Sequence, residues 1–188
     1  MTKSVYSTTK AGTPLLQTLS AGCRTPILTV KYCNLIKPFY YPNCRIPRYS
    51  VTCIIDPRTD EQFLQFIKTI EKNEGIDTAV RPDYHKDRDG MPVTTGNFVI
   101  KFQSKEKICV KVSSKDVHEQ PMKLEDDLAP GEKVSVIYDV LRYTKRGSVT
   151  EHGLSFKPIE IIYHPPESTK HLSQMSSADD SFLESEGY

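Results

Sequence analysis

The sequence predicts a mainly β protein, a small barrel or sandwich of five to six strands with one helix, followed by an acidic, disordered C-terminal tail. Two observations carry this. Six runs show strand-like patterning, bounded by Pro, Gly, Asn or Ser, and a single stretch switches to helical spacing. The connections between them are uneven, and no strand–helix–strand unit or internal repeat occurs.

Residues 1–24 are polar and without a sustained period, and read as a loosely packed arm. The body spans 25–164 and opens with a strand from Ile27 to Ile36, in which Leu28, Val30 and Tyr32 alternate with Thr29, Lys31 and Cys33. A loop punctuated by Pro38, Pro42 and Pro47 leads to a second strand, Arg48 to Asp56, stopped by Pro57. Phe63, Phe66, Ile67 and Ile70 then form one apolar stripe at helical spacing. Thr59 with Gln62 suggests a capping box, and Gly75 the C-terminal stop, giving a helix of about four turns able to plug a barrel end.

Residues 77–96 are polar and turn-rich, with no apolar period. Asn97–Gln103 and Ile108–Ser113, joined by Ser104-Lys105-Glu106-Lys107, read as a hairpin. Lys133–Thr144 and Gly153–Tyr163 are the two long closing strands, linked through Lys145, Arg146 and Gly147, and Pro165-Pro166 ends the body. The tail, 165–188, is rich in Ser and poor in apolar residues.

A net charge of +1 over 188 residues hides a strong asymmetry. The first 55 residues hold seven cations, six aromatics and no Asp or Glu, whereas 165–188 hold five acids and one lysine. A basic, aromatic-laced body with an acidic tail suits a protein that grips single-stranded nucleic acid and competes with itself for the groove. Such binding needs cations along the phosphates and flat rings on which bases stack. Two segments supply both. One is the Pro-bounded loop with Lys37, Phe39, Tyr40, Tyr41 and Arg45, flanked by Lys31 and Arg48. The other is Arg142, Tyr143, Lys145 and Arg146, at the bend between the last two strands. Tyr84, Lys86 and Arg88 are further candidate contacts in a charged loop. The blander reading places the rings over the barrel end and leaves the cations solvated.

Other chemistries lack their motifs. Asp87, Asp89 and Gly90 resemble part of a calcium loop, but the bidentate Glu that would complete it is missing. Pro82-Asp83 has no later acid-x-Lys to make a nuclease metal site. There is no Gly-rich phosphate loop, nucleophile elbow or HExxH, and the five histidines are scattered. The five cysteines, Cys23, Cys33, Cys44, Cys53 and Cys109, form no CxxC pair and read as reduced thiols. No stretch approaches the ~20 apolar residues of a membrane span, and no signal-peptide pattern is present. The reading is therefore a soluble, cytoplasmic, non-enzymatic protein with no cofactor, metal or membrane partner.

The tail ends in Asp179, Asp180, Phe182, Leu183, Glu184, Glu186 and Tyr188. Acids flanking a few large hydrophobes can mimic nucleic acid in the body's own groove, or dock on basic pockets of partner proteins.

The order of segments resembles a known family, the OB-fold single-stranded DNA-binding proteins of T-odd (T-seven-like) bacteriophages and related viruses. Thr25–Phe39 followed by Arg48–Pro57 and a helix resembles its opening, and Gly131–Thr144 with the Gly153–Tyr163 strand resembles its closing pair. The acidic tail with a terminal aromatic, here Tyr188, is the third match. The resemblance implies an OB-type barrel that coats single-stranded DNA during viral replication, recombination and repair, in the host cytoplasm. It implies a tail that contacts a polymerase, helicase or primase and shields the groove when DNA is absent. Tyr143 and its basic neighbours match the family's strand-loop contact region. A homodimer and an RNA ligand stay open. The alternative from another class is a β-sandwich interaction or viral structural protein.

Overall fold

A computed structural model describes residues 15–42, 45–76, 79–114, 117–146 and 150–166. They form β1 (Leu15–Arg24), β2 (Leu28–Phe39), β3 (Arg48–Ile55), α1 (Glu61–Glu74), β4 (Val80–Lys86), β5 (Pro92–Ser104), β6 (Cys109–Ser114), β7 (Val117–Pro121), β8 (Lys133–Arg146) and β9 (Thr150–His164).

Five of these strands close a ring. β2 pairs antiparallel with β3, and β3 with β5. β5 meets β9 in parallel at Phe102 opposite Phe156. β9 pairs antiparallel with β8 from Thr150 to His164, and β8 returns to β2 through Val134 opposite Leu28. A five-stranded ring with one parallel contact between its third and fifth members is the OB barrel. A single sheet closed on itself also removes the sandwich alternative.

The barrel interior is the apolar row of each strand. Leu28, Val30, Val51, Cys53, Ile55, Ile100, Phe102, Val134, Val136, Tyr138, Val140 and Phe156 are all buried. At its centre Phe102 lies edge-on to Tyr138 with ring centroids 5.0 Å apart, and Phe156 stands 6.0 Å and 5.9 Å from the two. α1 packs Phe63, Leu64 and Ile67 onto this core. It is stopped by Gly75 in the left-handed region (φ 64°), where any side chain would be strained. The Glu71 carboxylate accepts the N–H groups of Ala79 and Val80 at 2.7 and 3.0 Å, which ties α1 to the start of β4.

Several expectations change. Residues 15–24, assigned to the arm, form β1 along β8, where edge pairing needs no apolar face of its own. Part of the stretch read as patternless, 77–96, forms β4 and the start of β5. Both sides of that ribbon meet solvent from Tyr84 to Gly96, so no alternation is imposed. The strands read as a hairpin do not pair with each other in these ladders. β5 and β6 lie one after the other along the edge of β9 that β8 leaves open, at Phe156 and at Glu160–Tyr163, and both run parallel to it. β7 adds a short edge to β6. The capping box is absent: the helix starts after Asp60, whose carboxylate accepts the Asp56 N–H at 3.0 Å instead. Leu64 is buried, while Phe66 is 42% exposed. A bulge between Val30 and Tyr32 turns Tyr32 outward. The C-terminal tail from residue 167 lies outside the described residues. No helix among the described residues is long and apolar enough to cross a membrane.

Phe102 is fully buried at the parallel seam. Phe102→Ala should therefore destabilise the fold by about 3–5 kcal/mol, read as a lowered denaturant midpoint at unchanged slope.

Candidate nucleic-acid interface

Strand alternation sets the outer face once the inner one is fixed. With Ile100 and Phe102 inside, β5 turns Val99, Lys101 and Gln103 outward. With Phe156 inside, β9 turns Ser155 and Lys157 outward. On β8, Leu141 and Tyr143 alternate with the buried Val140. These side chains line a groove of about 720 Å³ that runs over β3, β5, β8 and β9. Ala79 and Arg81 from the β4 side and Leu16 of β1 complete its walls.

The groove is electrostatically one-sided. Its lining includes the cations Arg48, Arg81, Lys101, Lys105 and Lys157, against the single acid Glu106. None of the five is in an ion pair among the described residues. Low-dielectric walls between clustered like charges focus the field and favour an anionic ligand. Leu16, Val99, Leu141 and Leu154 intersperse apolar surface among the cations.

Aromatic rings stand at two places along the groove. Phe39, at the end of β2, and Tyr41 make an edge-to-face pair with centroids 5.0 Å apart and planes at 82°. Lys101 Nζ sits 5.9 Å from the Phe39 ring centre, joining this pair to the groove cations. Phe39, Tyr40 and Tyr41 are 43%, 52% and 43% exposed, so the Pro-bounded loop does present its rings to solvent. At the other place, Tyr143 of β8 is half-buried opposite Gly153 of β9.

The sequence candidates therefore separate. Tyr41, Arg48 and Tyr143 line the groove, and Phe39 adjoins it through Lys101. Lys37 and Arg45 are exposed nearby but are not among the lining residues. Lys31 is engaged elsewhere: it pairs with the buried carboxylate of Asp83 and donates to the Tyr84 carbonyl at 3.2 Å. Thr95 Oγ1 donates to the same Asp83 carboxylate at 2.9 Å, so this cluster anchors the β4–β5 ribbon to β2. Arg142 points to the helix side and holds Glu74 at 2.8 Å. Tyr84, Lys86 and Arg88 are exposed on the ribbon. Its tip is shaped by Asp87, whose carboxylate accepts the Asp89 and Met91 N–H groups at 3.0 and 2.8 Å. Lys145 and Arg146 occupy β8 opposite Glu151 and Thr150 rather than a loop tip; their side chains are not among those described. The tail candidates Asp179, Asp180, Phe182, Leu183, Glu184, Glu186 and Tyr188 lie outside the described residues.

Sequence reading missed Arg81, Lys101, Lys105 and Lys157. The signal for Lys101 was present, because Phe98, Ile100 and Phe102 on one face put Val99, Lys101 and Gln103 on the other. Nothing in the lining suggests covalent chemistry. Burial and the nearby Asp127 push the Cys33 thiol up to about 11, and burial raises the Cys53 thiol as well, so both stay protonated at neutral pH. No group of three metal-ligating side chains occurs among the described residues.

No protein-family model matches the chain, and no curated protein matches its sequence. Solved structures do match its fold. The single-stranded DNA-binding protein of bacteriophage Enc34, in complex with single-stranded DNA, aligns at a TM-score of 0.57 and 15% identity, covering 85% of this chain and 94% of that one. Another structure of the Enc34 protein aligns at a TM-score of 0.54 and 15% identity, over 95% of this chain and 100% of that one. Gp2.5, a single-stranded DNA-binding protein encoded by bacteriophage T7, aligns at 0.50 and 17% identity, over 88% and 97%. The barrel described here is thus the fold of phage single-stranded DNA-binding proteins.

Proposed function

We propose that the chain binds single-stranded DNA in the groove over β3, β5, β8 and β9, by stacking and phosphate contacts with little sequence preference. The observation that carries this is the lining itself: five cations, one acid, interspersed apolar surface and aromatics at two places. Phosphates would follow Arg48, Arg81, Lys101, Lys105 and Lys157, while bases stack near Phe39, Tyr41 and Tyr143. Lys37 and Arg45 extend the positive rim beyond the loop, and Tyr84, Lys86 and Arg88 offer a second limb on the ribbon. The structural match to a protein solved with single-stranded DNA supports this reading. In this reading the protein is non-enzymatic and coats single strands during viral replication, recombination and repair in the host cytoplasm. Its acidic tail competes for the groove and contacts replication proteins.

The decisive experiment is a salt-titrated binding comparison of oligo-dT, duplex DNA and oligo-rU by fluorescence anisotropy. Preference for oligo-dT with a steep salt dependence is expected. Equal or tighter binding of RNA would reassign the ligand, and absence of binding at low salt would sink the proposal. Lys101→Ala and Lys157→Ala should each lower the slope of log K against log salt by about 1. Arg142→Ala, which removes only the Glu74 contact, should leave that slope unchanged. Tyr41→Ala should weaken binding about tenfold without changing the slope, one lost stack being worth ~1–3 kcal/mol.

Truncation after Ser176 removes four acids and Tyr188. Affinity for oligo-dT should rise, most clearly at low salt where the tail competes best. Unchanged or weaker binding of the truncated protein would reduce the tail to a solubilising segment.

A further inference from the structure

Six glycines lie among the described residues, and five share one explanation. Gly22, Gly75, Gly90, Gly96 and Gly131 have φ between 64° and 98°, a region that side chains strain, with open space where a Cβ would be. Gly153 is the reverse. Its φ lies outside that region, so its backbone suits any residue, yet a Cβ there would overlap Cζ, Oη and Cε1 of Tyr143. A glycine inside a long strand costs conformational entropy and contributes no packing. Here its absent side chain leaves the space that the outer end of the Tyr143 ring occupies.

Tyr143 and Gly153 face each other across the β8–β9 ladder. The ring therefore folds over its cross-strand partner rather than standing up from the sheet. In that pose the Tyr143 ring has β9 backbone beneath it and remains part of the groove lining. The ladder continues on either side of the pair: Thr144 Oγ1 lies 3.1 Å from His152 Nδ1, and Leu141, on the same face of β8 as Tyr143, is opposite Ser155 and also lines the groove.

We propose that Gly153 is a positioning residue for base stacking: by lacking a side chain it lets Tyr143 lie against β9 and offer its outer ring face to a base in the groove. The inference rests on the single-stranded DNA reading above. Lying down costs the ring freedom it would otherwise lose only on binding, so the platform is organised before the ligand arrives. A purely structural role is the alternative, with the ring covering an otherwise bare stretch of strand.

The test is Gly153→Ala in the full chain. The atoms that must move are the outer end of a flexible side chain, and alanine suits the strand better than glycine, so thermal stability should hold or rise slightly. Binding of fluorescein-labelled oligo-dT should nevertheless weaken about tenfold, as one stack is lost, with no change in the salt slope, since no phosphate contact is removed. Tyr143→Ala should weaken binding to a similar extent, and Gly153→Ala combined with Tyr143→Ala should bind no worse than Tyr143→Ala alone. Tyr143→Phe should retain the affinity of the unaltered protein, because stacking needs the ring and not the hydroxyl.

Unaltered binding by Gly153→Ala, or a loss that adds to that of Tyr143→Ala, would overturn the proposal while leaving the single-stranded DNA reading intact. A fall in thermal stability without a fall in affinity would assign Gly153 to the structural role. If the unaltered protein fails to bind oligo-dT, the parent reading and this one fall together.

Discussion

The structure depends on one seam, the parallel meeting of β5 and β9 at Phe102 and Phe156. Every other junction of the ring is antiparallel. This one carries a single register pair, so side chains rather than a long hydrogen-bond ladder must secure it. Phe102, Phe156 and Tyr138 do so with three edge-on contacts at the barrel centre. The Tyr138 hydroxyl is buried with no partner among the described residues, and burial raises its pKa. An unpaired hydroxyl opposes folding by about 1–3 kcal/mol, a cost offset by the ring area that the same residue buries.

That seam also fixes the outside. Strand alternation means that seating Phe102 and Phe156 inward turns Lys101, Gln103, Ser155 and Lys157 outward onto one contiguous surface. The groove is thus the reverse side of the closure, and no separate folding step is needed to assemble it. Several cations elsewhere are held by acids. Lys31 pairs with Asp83, Arg142 with Glu74, Arg24 with Glu119 and Lys111 with Glu160. Ion pairing serves to join elements, Lys31 fixing the ribbon and Arg142 the end of α1, while the five groove cations are in no ion pair among the described residues.

The sequence was most legible where burial is one-sided and long. β2, β3, β8, β9 and α1 were placed within a few residues because their apolar rows face one continuous core. β4 was invisible because its ribbon is solvated on both faces, and β1 because an edge strand borrows its register from β8. The β5–β6 error has another cause: local alternation reports which face is buried but not which strand is the neighbour. The candidate groove was legible as composition, a basic and aromatic first segment, and three of the sequence candidates, Tyr41, Arg48 and Tyr143, are among its lining residues. Lys31 and Arg142 show the limit. Their acid partners lie 52 and 68 residues away in sequence, so proximity in the chain could not reveal that they are already engaged.

The mixed lining bears on which form of nucleic acid the groove suits. A duplex presents phosphates outward and hides its bases, so it could engage the five cations but would leave Leu16, Val99, Leu141 and Leu154 against water or against charge. A single strand can turn its bases inward while its phosphates remain on the rim, which matches apolar and cationic side chains interspersed over one surface. This surface also differs from a simple anion patch. Bare electrostatic attraction needs no rings, yet here Lys101 approaches the Phe39 ring and Tyr143 lies over a strand whose glycine leaves room for it. In the proposed function, charge would bring a polyanion to the groove, and the flat apolar surfaces between the charges would favour one whose bases are exposed.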